Sequence, residues 1–235
     1  MRPDHGYNNQ MRYYPIFVNL EKKDCLVVGA GEVGKRKIQS LVDAGAGSVT
    51  IIDTRPAAPE LEPVTALRNV AFFWREFEDA DLDGKFLVIA CTSSEEVNWR
   101  ISNLCADRGI LCNIVDQPEK CSFIVPATVK RGDLTVAIST AGRSPAMAKR
   151  IRKELQESFG EEYANVLSIM GRIRPLMLGL GLKTADNTAV FRGLVDSNLL
   201  DALRTRDLDE VGEILKKSLP EPLHDHIPEL LDGLV

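Results

Sequence analysis

Gly29-Ala30-Gly31-Glu32-Val33-Gly34 is the stretch on which the fold turns. A GxGxxG string alone is weak evidence, and its neighbours give it meaning. Cys25-Leu26-Val27-Val28 before it is a short β-rich run ending at Gly29. After it, Gly34, Ile38, Leu41 and Val42 recur at helical spacing until Gly45-Ala46-Gly47. Val49 to Ile52 then reads as a buried strand closing at Asp53. Strand, glycine turn, helix, strand and terminal acid is the order a dinucleotide cradle requires. Gly29 permits the tight turn, Gly31 lets backbone approach a pyrophosphate, and Gly34 lets the helix pack on the strand. Ala30, Glu32 and Val33 complete the loop, whose helix N-terminus offers free N–H groups to an anion.

The same grammar continues outward. Val70 to Phe73 and Phe86 to Cys91 read as strands. Ser93 and Glu96 have capping-box spacing ahead of a helix carrying Val97, Ile101, Leu104 and Cys105 on one face, and Ile110 to Val115 is the next strand. Such alternation predicts an α/β fold, a doubly wound parallel sheet of the Rossmann type. After Asp116 the pattern changes. Ser122 to Thr128 and Leu134 to Ser139 predict a hairpin turning at Lys130-Arg131-Gly132-Asp133. Ser144-Pro145 opens a basic helix, and the remainder reads as helical, with Leu208, Val211 and Leu215 on one stripe. The expected organisation is an N-terminus over 1–14 without assigned structure, a nucleotide-binding domain over 15–116, a hairpin and basic helix for dimerisation over 117–160, and a helical domain over 161–235. Met11 is a second candidate start.

Asp53 selects the cofactor. A carboxylate at that point accepts from ribose hydroxyls and repels a 2′-phosphate, so NAD is expected over NADP, although Arg55 could hold that phosphate. Thr54, Thr92 and Ser93 are expected beside the cofactor, with Ser93 also a candidate helix cap.

Composition narrows the class. A net charge of -5 argues against general nucleic-acid binding, and the apolar runs fall far short of the roughly 18 residues a bilayer span needs. With no secretory pattern at the start, a soluble cytoplasmic protein is expected. Cys25, Cys91, Cys105, Cys112 and Cys121 form an odd set with no CxxC pair, and are read as reduced core residues. Between Lys120 and Lys153 eight basic residues stand against the single acid Asp133. That basic island suits a polyanionic small molecule, or else a solvated helix face.

Several segments together resemble a known family: Tyr14-Pro15-Ile16-Phe17, the glycine loop with Lys35-Arg36-Lys37, Val97-Asn98, Cys112-Asn113-Ile114-Val115-Asp116, Ser122-Phe123-Ile124-Val125-Pro126-Ala127 and Thr140-Ala141-Gly142-Arg143-Ser144-Pro145. In this order and spacing they are similar to the precorrin-2 dehydrogenases of sirohaem biosynthesis, from about Tyr14 to Leu155 and more loosely beyond. With no methyltransferase domain following, the stand-alone form is the nearer likeness. The resemblance implies NAD-dependent oxidation of precorrin-2, a partly reduced tetrapyrrole with eight carboxylates, in a homodimer whose hairpin region reaches the partner. Lys120, Arg143, Ser144, Lys149 and Arg150 are then the expected substrate-binding residues.

Asp116 ends a predicted strand, where open α/β sheets place ligands, and it matches the family's general base; its structural alternative is a cap on the turn into Gln117-Pro118. Ser144 matches a serine phosphorylated in a bacterial relative, and also suits a helix N-cap. No metal site is expected. His5, His224 and His226 are the only histidines, and the latter two are read as surface residues. Two alternatives stay open: a bifunctional dehydrogenase and sirohydrochlorin ferrochelatase, and an NAD-sensing regulator without turnover.

Overall fold

The computed structural model describes residues 13–115 and 117–234. It divides into two compact units, one up to Val125 and the other from Pro126.

In the first unit five parallel strands form one sheet: β1 (Asp24–Val28), β2 (Ser48–Asp53), β3 (Val70–Trp74), β4 (Leu87–Ala90) and β5 (Leu111–Ile114), in the order β3-β2-β1-β4-β5. Side chains alternate across a strand, so β1 feeds two cores. Cys25 and Val27 pack with Ile38 and Leu41 of helix α1 (Glu32–Asp43). Leu26 and Val28 pack with Ile101 and Cys105 of helix α3 (Glu95–Arg108) on the other face. A sheet covered on both sides explains why its central strands are apolar throughout. A short helix, α2 (Glu62–Thr65), precedes β3. The order reverses between β1 and β4, and the two loops leaving those strands open the crevice where such sheets take ligands.

The cap of α3 is Ser94 rather than Ser93. Ser94 Oγ accepts from the Val97 N–H at 3.3 Å, while Ser93 is exposed. Gly109 closes that helix with φ +68, a left-handed conformation glycine adopts without strain.

The second unit opens with an antiparallel hairpin, β6 (Ala127–Arg131) and β7 (Leu134–Ile138). The expected first strand began five residues earlier. Ser122 instead exchanges backbone and side-chain hydrogen bonds with Cys112, and the Phe123 carbonyl accepts from Asn113 Nδ2 at 3.0 Å, which ties this stretch to β5. Lys130 and Arg131 therefore belong to the strand, and Gly132-Asp133 alone makes the turn. Helices α4 (Pro145–Ser158), α5 (Glu162–Gly179), α6 (Thr184–Val195), α7 (Leu199–Thr205), α8 (Leu208–Ser218) and α9 (Ile227–Leu231) follow. Ile169, Ile173 and Met177 form one stripe of α5, and they close a core with Leu194, Leu199, Leu203, Val211, Leu215 and Leu230. Of the predicted α8 stripe, Val211 and Leu215 are buried and Leu208, in the first turn, stays partly exposed. His224 is less free than expected: its Nε2 lies 3.0 Å from the Leu219 carbonyl, and it is half-buried.

All five cysteines are free thiols. Among the described residues no helix is long and apolar enough to cross a membrane.

Candidate functional site

The glycine loop runs from the end of β1 into α1 and lies against the end of β4. Gly29 has φ +97, and a Cβ there would stand 2.6 Å from the Cys91 carbonyl oxygen, so two chain segments touch at backbone distance. A Cβ on Gly34 would fall 2.1 Å from the Gly29 carbonyl oxygen, which seats the first turn of α1 directly on the loop. Gly31 differs: a Cβ there would meet only the Arg55 guanidinium at 3.6 Å. Its bare backbone faces open space at a helix N-terminus, a cradle a side chain would fill. These features fit a pyrophosphate.

Asp53, at the end of β2, is 9% exposed and holds the loop from below. Its Oδ2 accepts from the Ala30 N–H at 2.6 Å, and its Oδ1 accepts from the Arg55 N–H at 2.8 Å with the Arg55 Nε at 3.4 Å. Burial pushes the carboxyl up, but these hydrogen bonds and the adjacent guanidinium outweigh it, and the group stays below the usual carboxylate range. Oδ2, which accepts a single hydrogen bond, retains lone-pair capacity for a ribose hydroxyl. Ala30 is buried, Glu32 and Thr54 are exposed, and Val33 is half-buried. Glu32 pairs with Lys35 at 2.9 Å, and the Thr54 carbonyl accepts from Trp74 Nε1 at 3.0 Å.

Beyond β4, Thr92 is locked to Asn98 of α3. Asn98 Oδ1 lies 3.2 Å from the Thr92 N–H and 2.8 Å from its hydroxyl, and Asn98 Nδ2 donates to the Thr92 carbonyl at 3.0 Å. Asn98 is 7% exposed and was quoted at sequence level only as part of a motif; it fixes the β4 exit loop. Cys91 was also missed: its Sγ donates to the Gly29 carbonyl at 3.0 Å, and burial pushes the thiol up to about 12. Half-buried Lys37 of α1 makes no ion pair among the described residues, and burial lowers its pKa despite the nearby Cys91 and Cys121. No periodicity marks these residues, because their surroundings come from distant strands.

The residues expected to meet substrate fall in both units. Asp116 lies outside the described residues, as do His5, Met11 and most of the 1–14 segment. Lys120, in the first unit, is exposed, with Nζ 5.4 Å from the centre of the Trp99 ring. In the second unit Arg143 and Lys149 are exposed and carry no ion pair among the described residues, whereas Arg150 is bonded to Glu154 at 2.8 Å. Arg131, another member of the basic island, is occupied: Nη2 donates to the Gln156 carbonyl at 3.0 Å and Nε stands 3.4 Å from Glu161. Ser144 caps α4, its Oγ accepting from the Met147 N–H at 3.2 Å, with Pro145 in the first turn. Among the described residues no group of three or more His, Cys, Asp or Glu could hold a metal ion.

Comparison with known proteins agrees with this geometry. Residues 16–127 match an NAD(P)-binding family model, and residues 131–158 match the model described as sirohaem biosynthesis protein central. These matches make the chain similar to sirohaem biosynthesis proteins. A sirohaem synthase of Thioalkalivibrio sulfidiphilus is 40% identical over 174 residues, which cover 74% of this chain and 34% of that protein. One from Enterobacter sp. strain 638 is 31% identical over 224 residues, 95% of this chain and 49% of that protein. The chain thus spans a third to a half of the curated relatives it matches. SirC, a precorrin-2 dehydrogenase, superposes with a TM-score of 0.74 at 23% identity over 87% of this chain and 98% of that one, and so has the same fold.

Proposed function

We propose that this chain oxidises precorrin-2 to sirohydrochlorin with NAD as hydride acceptor. The observation carrying the reading is the cradle of Gly29, Gly31 and Gly34 held by Asp53, followed in the same chain by the sirohaem central segment. The open backbone at Gly31 and the ionised, nearly buried Asp53 fit a dinucleotide, with its pyrophosphate over the loop and a ribose at the carboxylate. Ala30, Glu32, Val33, Thr54, Thr92 and Ser93 complete the assigned cofactor contacts. NAD is preferred because Asp53 repels a 2′-phosphate; its pairing with Arg55 also partly neutralises a nearby cation that could attract that group.

The bound nicotinamide supplies the hydride acceptor. The chain supplies the base: Asp116, on the segment leaving β5, accepts the proton lost from the macrocycle. Oxidation then releases one hydride and one proton, and the new carbon–carbon double bond extends the conjugation of the ring. Lys120, Arg143, Lys149 and Arg150, together with the helix N-terminus capped by Ser144, are assigned to the substrate carboxylates. We assign nucleotide binding to 15–116, dimerisation to 117–160 and the helical domain to 161–235, in a homodimer.

The test is spectrophotometric: the full chain, precorrin-2 and NAD, followed by NADH absorbance, against the Asp116→Ala variant. The reading expects turnover in the first, and in the second a loss of at least about a hundredfold with NAD affinity retained. Wild-type turnover by Asp116→Ala removes the base, and no turnover by the parent chain removes the reaction.

A further inference from the structure

Trp74 ends β3, the edge strand of the sheet, and its register partner on β2 is Asp53. Side chains alternate across a strand, so the residues two and four positions earlier fix the face on which this pair lies. Val49 and Ile51 of β2 and Val70 and Phe72 of β3 pack in the core shared with Ile38 and Leu41 of α1. Asp53 and Trp74 therefore continue the α1 face at its open end, where the glycine loop lies.

The indole is 68% exposed, yet it is not left to turn freely: Nε1 donates to the Thr54 carbonyl at 3.0 Å. That bond uses the ring's one polar group. What remains is a flat apolar surface, held at the exit of β2 and gaining little from core packing. Such a surface suits a planar ligand that covers it.

The sheet order says which planar group arrives there. Asp53 has the glycine loop of β1 on one side and Trp74 of β3 on the other. A ribose on Asp53 Oδ2 that sends its pyrophosphate toward Gly31 must send its base the opposite way, toward β3. Neighbouring strands lie about 4.8 Å apart, so the base comes within reach of the indole.

We propose that Trp74 stacks on the adenine base of the bound dinucleotide. The glycines are assigned to the pyrophosphate and Asp53 to the ribose; Trp74 adds the contact to the base. The inference rests on the dinucleotide reading of the cradle and is independent of what the nicotinamide oxidises. The competing use of an exposed aromatic on an edge strand is contact with a second copy. Phe73 provides the control: it is the adjacent residue, points to the opposite face, is 45% exposed, and has the Arg75 guanidinium 5.4 Å from its ring centre.

The full chain is titrated with NADH and with ADP, comparing the parent, Trp74→Leu, Trp74→Phe and Phe73→Leu. Trp74→Leu should bind both ligands about tenfold more weakly, the size of one lost base–aromatic stack. Trp74→Phe, which keeps a ring without the N–H, and Phe73→Leu should stay within about threefold of the parent. Indole emission reports the contact directly. ADP should quench the parent but not Trp74→Phe, which retains Trp99, the other of the two tryptophans. Should Trp74→Leu fail to fold, this comparison decides.

Equal affinity in Trp74→Leu and the parent, equal losses in Trp74→Leu and Phe73→Leu, or the same ADP quenching in the parent and Trp74→Phe overturns the proposal. A loss in Trp74→Phe as large as in Trp74→Leu does so too, because the hydrogen bond to Thr54 and not the ring would then matter. A lower sedimenting mass of Trp74→Leu with unchanged NADH affinity assigns the residue to contact between copies instead. NADH binding with no effect at Trp74 refutes the stack alone, no binding by the parent refutes cradle and stack together, and a stacking effect without precorrin-2 turnover refutes the reaction alone.

Discussion

Asp53 and Ala30, twenty-three residues apart, meet at 2.6 Å, carboxylate oxygen to backbone N–H. The bond makes one residue both a prop for the glycine loop and the acid beside the ribose. Replacing Asp53 by Ala removes the prop and the negative charge, and leaves Arg55 without its partner. NAD affinity should fall about tenfold, and the ratio of NADP to NAD affinity should rise. Titration with both nucleotides checks this, and an unchanged ratio would remove Asp53 from cofactor selection.

Stability should decline in acid for a stated reason. In Asp81 the Arg75 guanidinium, bonded at 2.6 and 2.8 Å, holds the carboxyl below its usual range against the opposing effect of burial; Asp53 is lowered as described above. Because both folded values lie under the unfolded one of about 4, their contribution is complete above that pH and is lost as pH falls through the folded values. Urea unfolding of the parent and of Asp81→Asn should differ at pH 7, and the difference should shrink as the pH falls below the unfolded value of about 4. A constant difference would show that ionisation of Asp81 is irrelevant.

The three loop glycines should separate by phenotype. Gly34→Ala forces a Cβ to 2.1 Å from a carbonyl oxygen, and Gly29→Ala combines a 2.6 Å clash with positive φ. Each should destabilise by about 1–3 kcal/mol or more. Gly31→Ala meets nothing closer than 3.6 Å and should keep its stability while losing nucleotide binding, because only the ligand's space is taken. Denaturation and NADH fluorescence measured together decide, and a Gly31→Ala protein that binds normally would contradict the cradle.

Ser144 can be divided into cap and charge. Ser144→Ala loses the hydrogen bond to the Met147 N–H and should cost about 1 kcal/mol. Ser144→Asp keeps a capping oxygen but adds a negative charge where carboxylates are proposed to dock. Its stability should match the parent while KM for precorrin-2 rises several-fold. An unchanged KM would leave the residue with the cap alone.

Burial governs the thiols. It pushes Cys25 up to about 11 and Cys91 to about 12, so neither is a thiolate at pH 8. Iodoacetamide on the folded protein at that pH should leave both unmodified by mass spectrometry, and denaturant should expose them. Alkylation of native Cys91 would mean that the β1–β4 crevice opens in solution.

Much of the fold was legible because its signals are local. The strands around the glycine loop, the left-handed stop at Gly109 and the Ser144 cap each follow from a few adjacent residues. The hairpin start and the Ser93 cap were misplaced for a non-local reason. Ser122 and Phe123 satisfy their polar groups on β5, and Ser94 rather than its neighbour turns its hydroxyl to the helix. Likewise the basic island looked uniform in sequence, yet Arg131 and Arg150 are engaged by their own unit, whereas Arg143 and Lys149 form no ion pair among the described residues.

Sequence alone determined the alternation of strand and helix, the glycine spacing and the acid at the end of the second strand, since backbone sterics and side-chain periodicity act over a few residues. Tertiary structure decided that Gly29 abuts Cys91, sixty-two positions away, that Asn98 anchors Thr92, and that Trp74 stands level with Asp53. Burial and pairing depend on which distant segments the fold brings together, and no short window of residues contains that information.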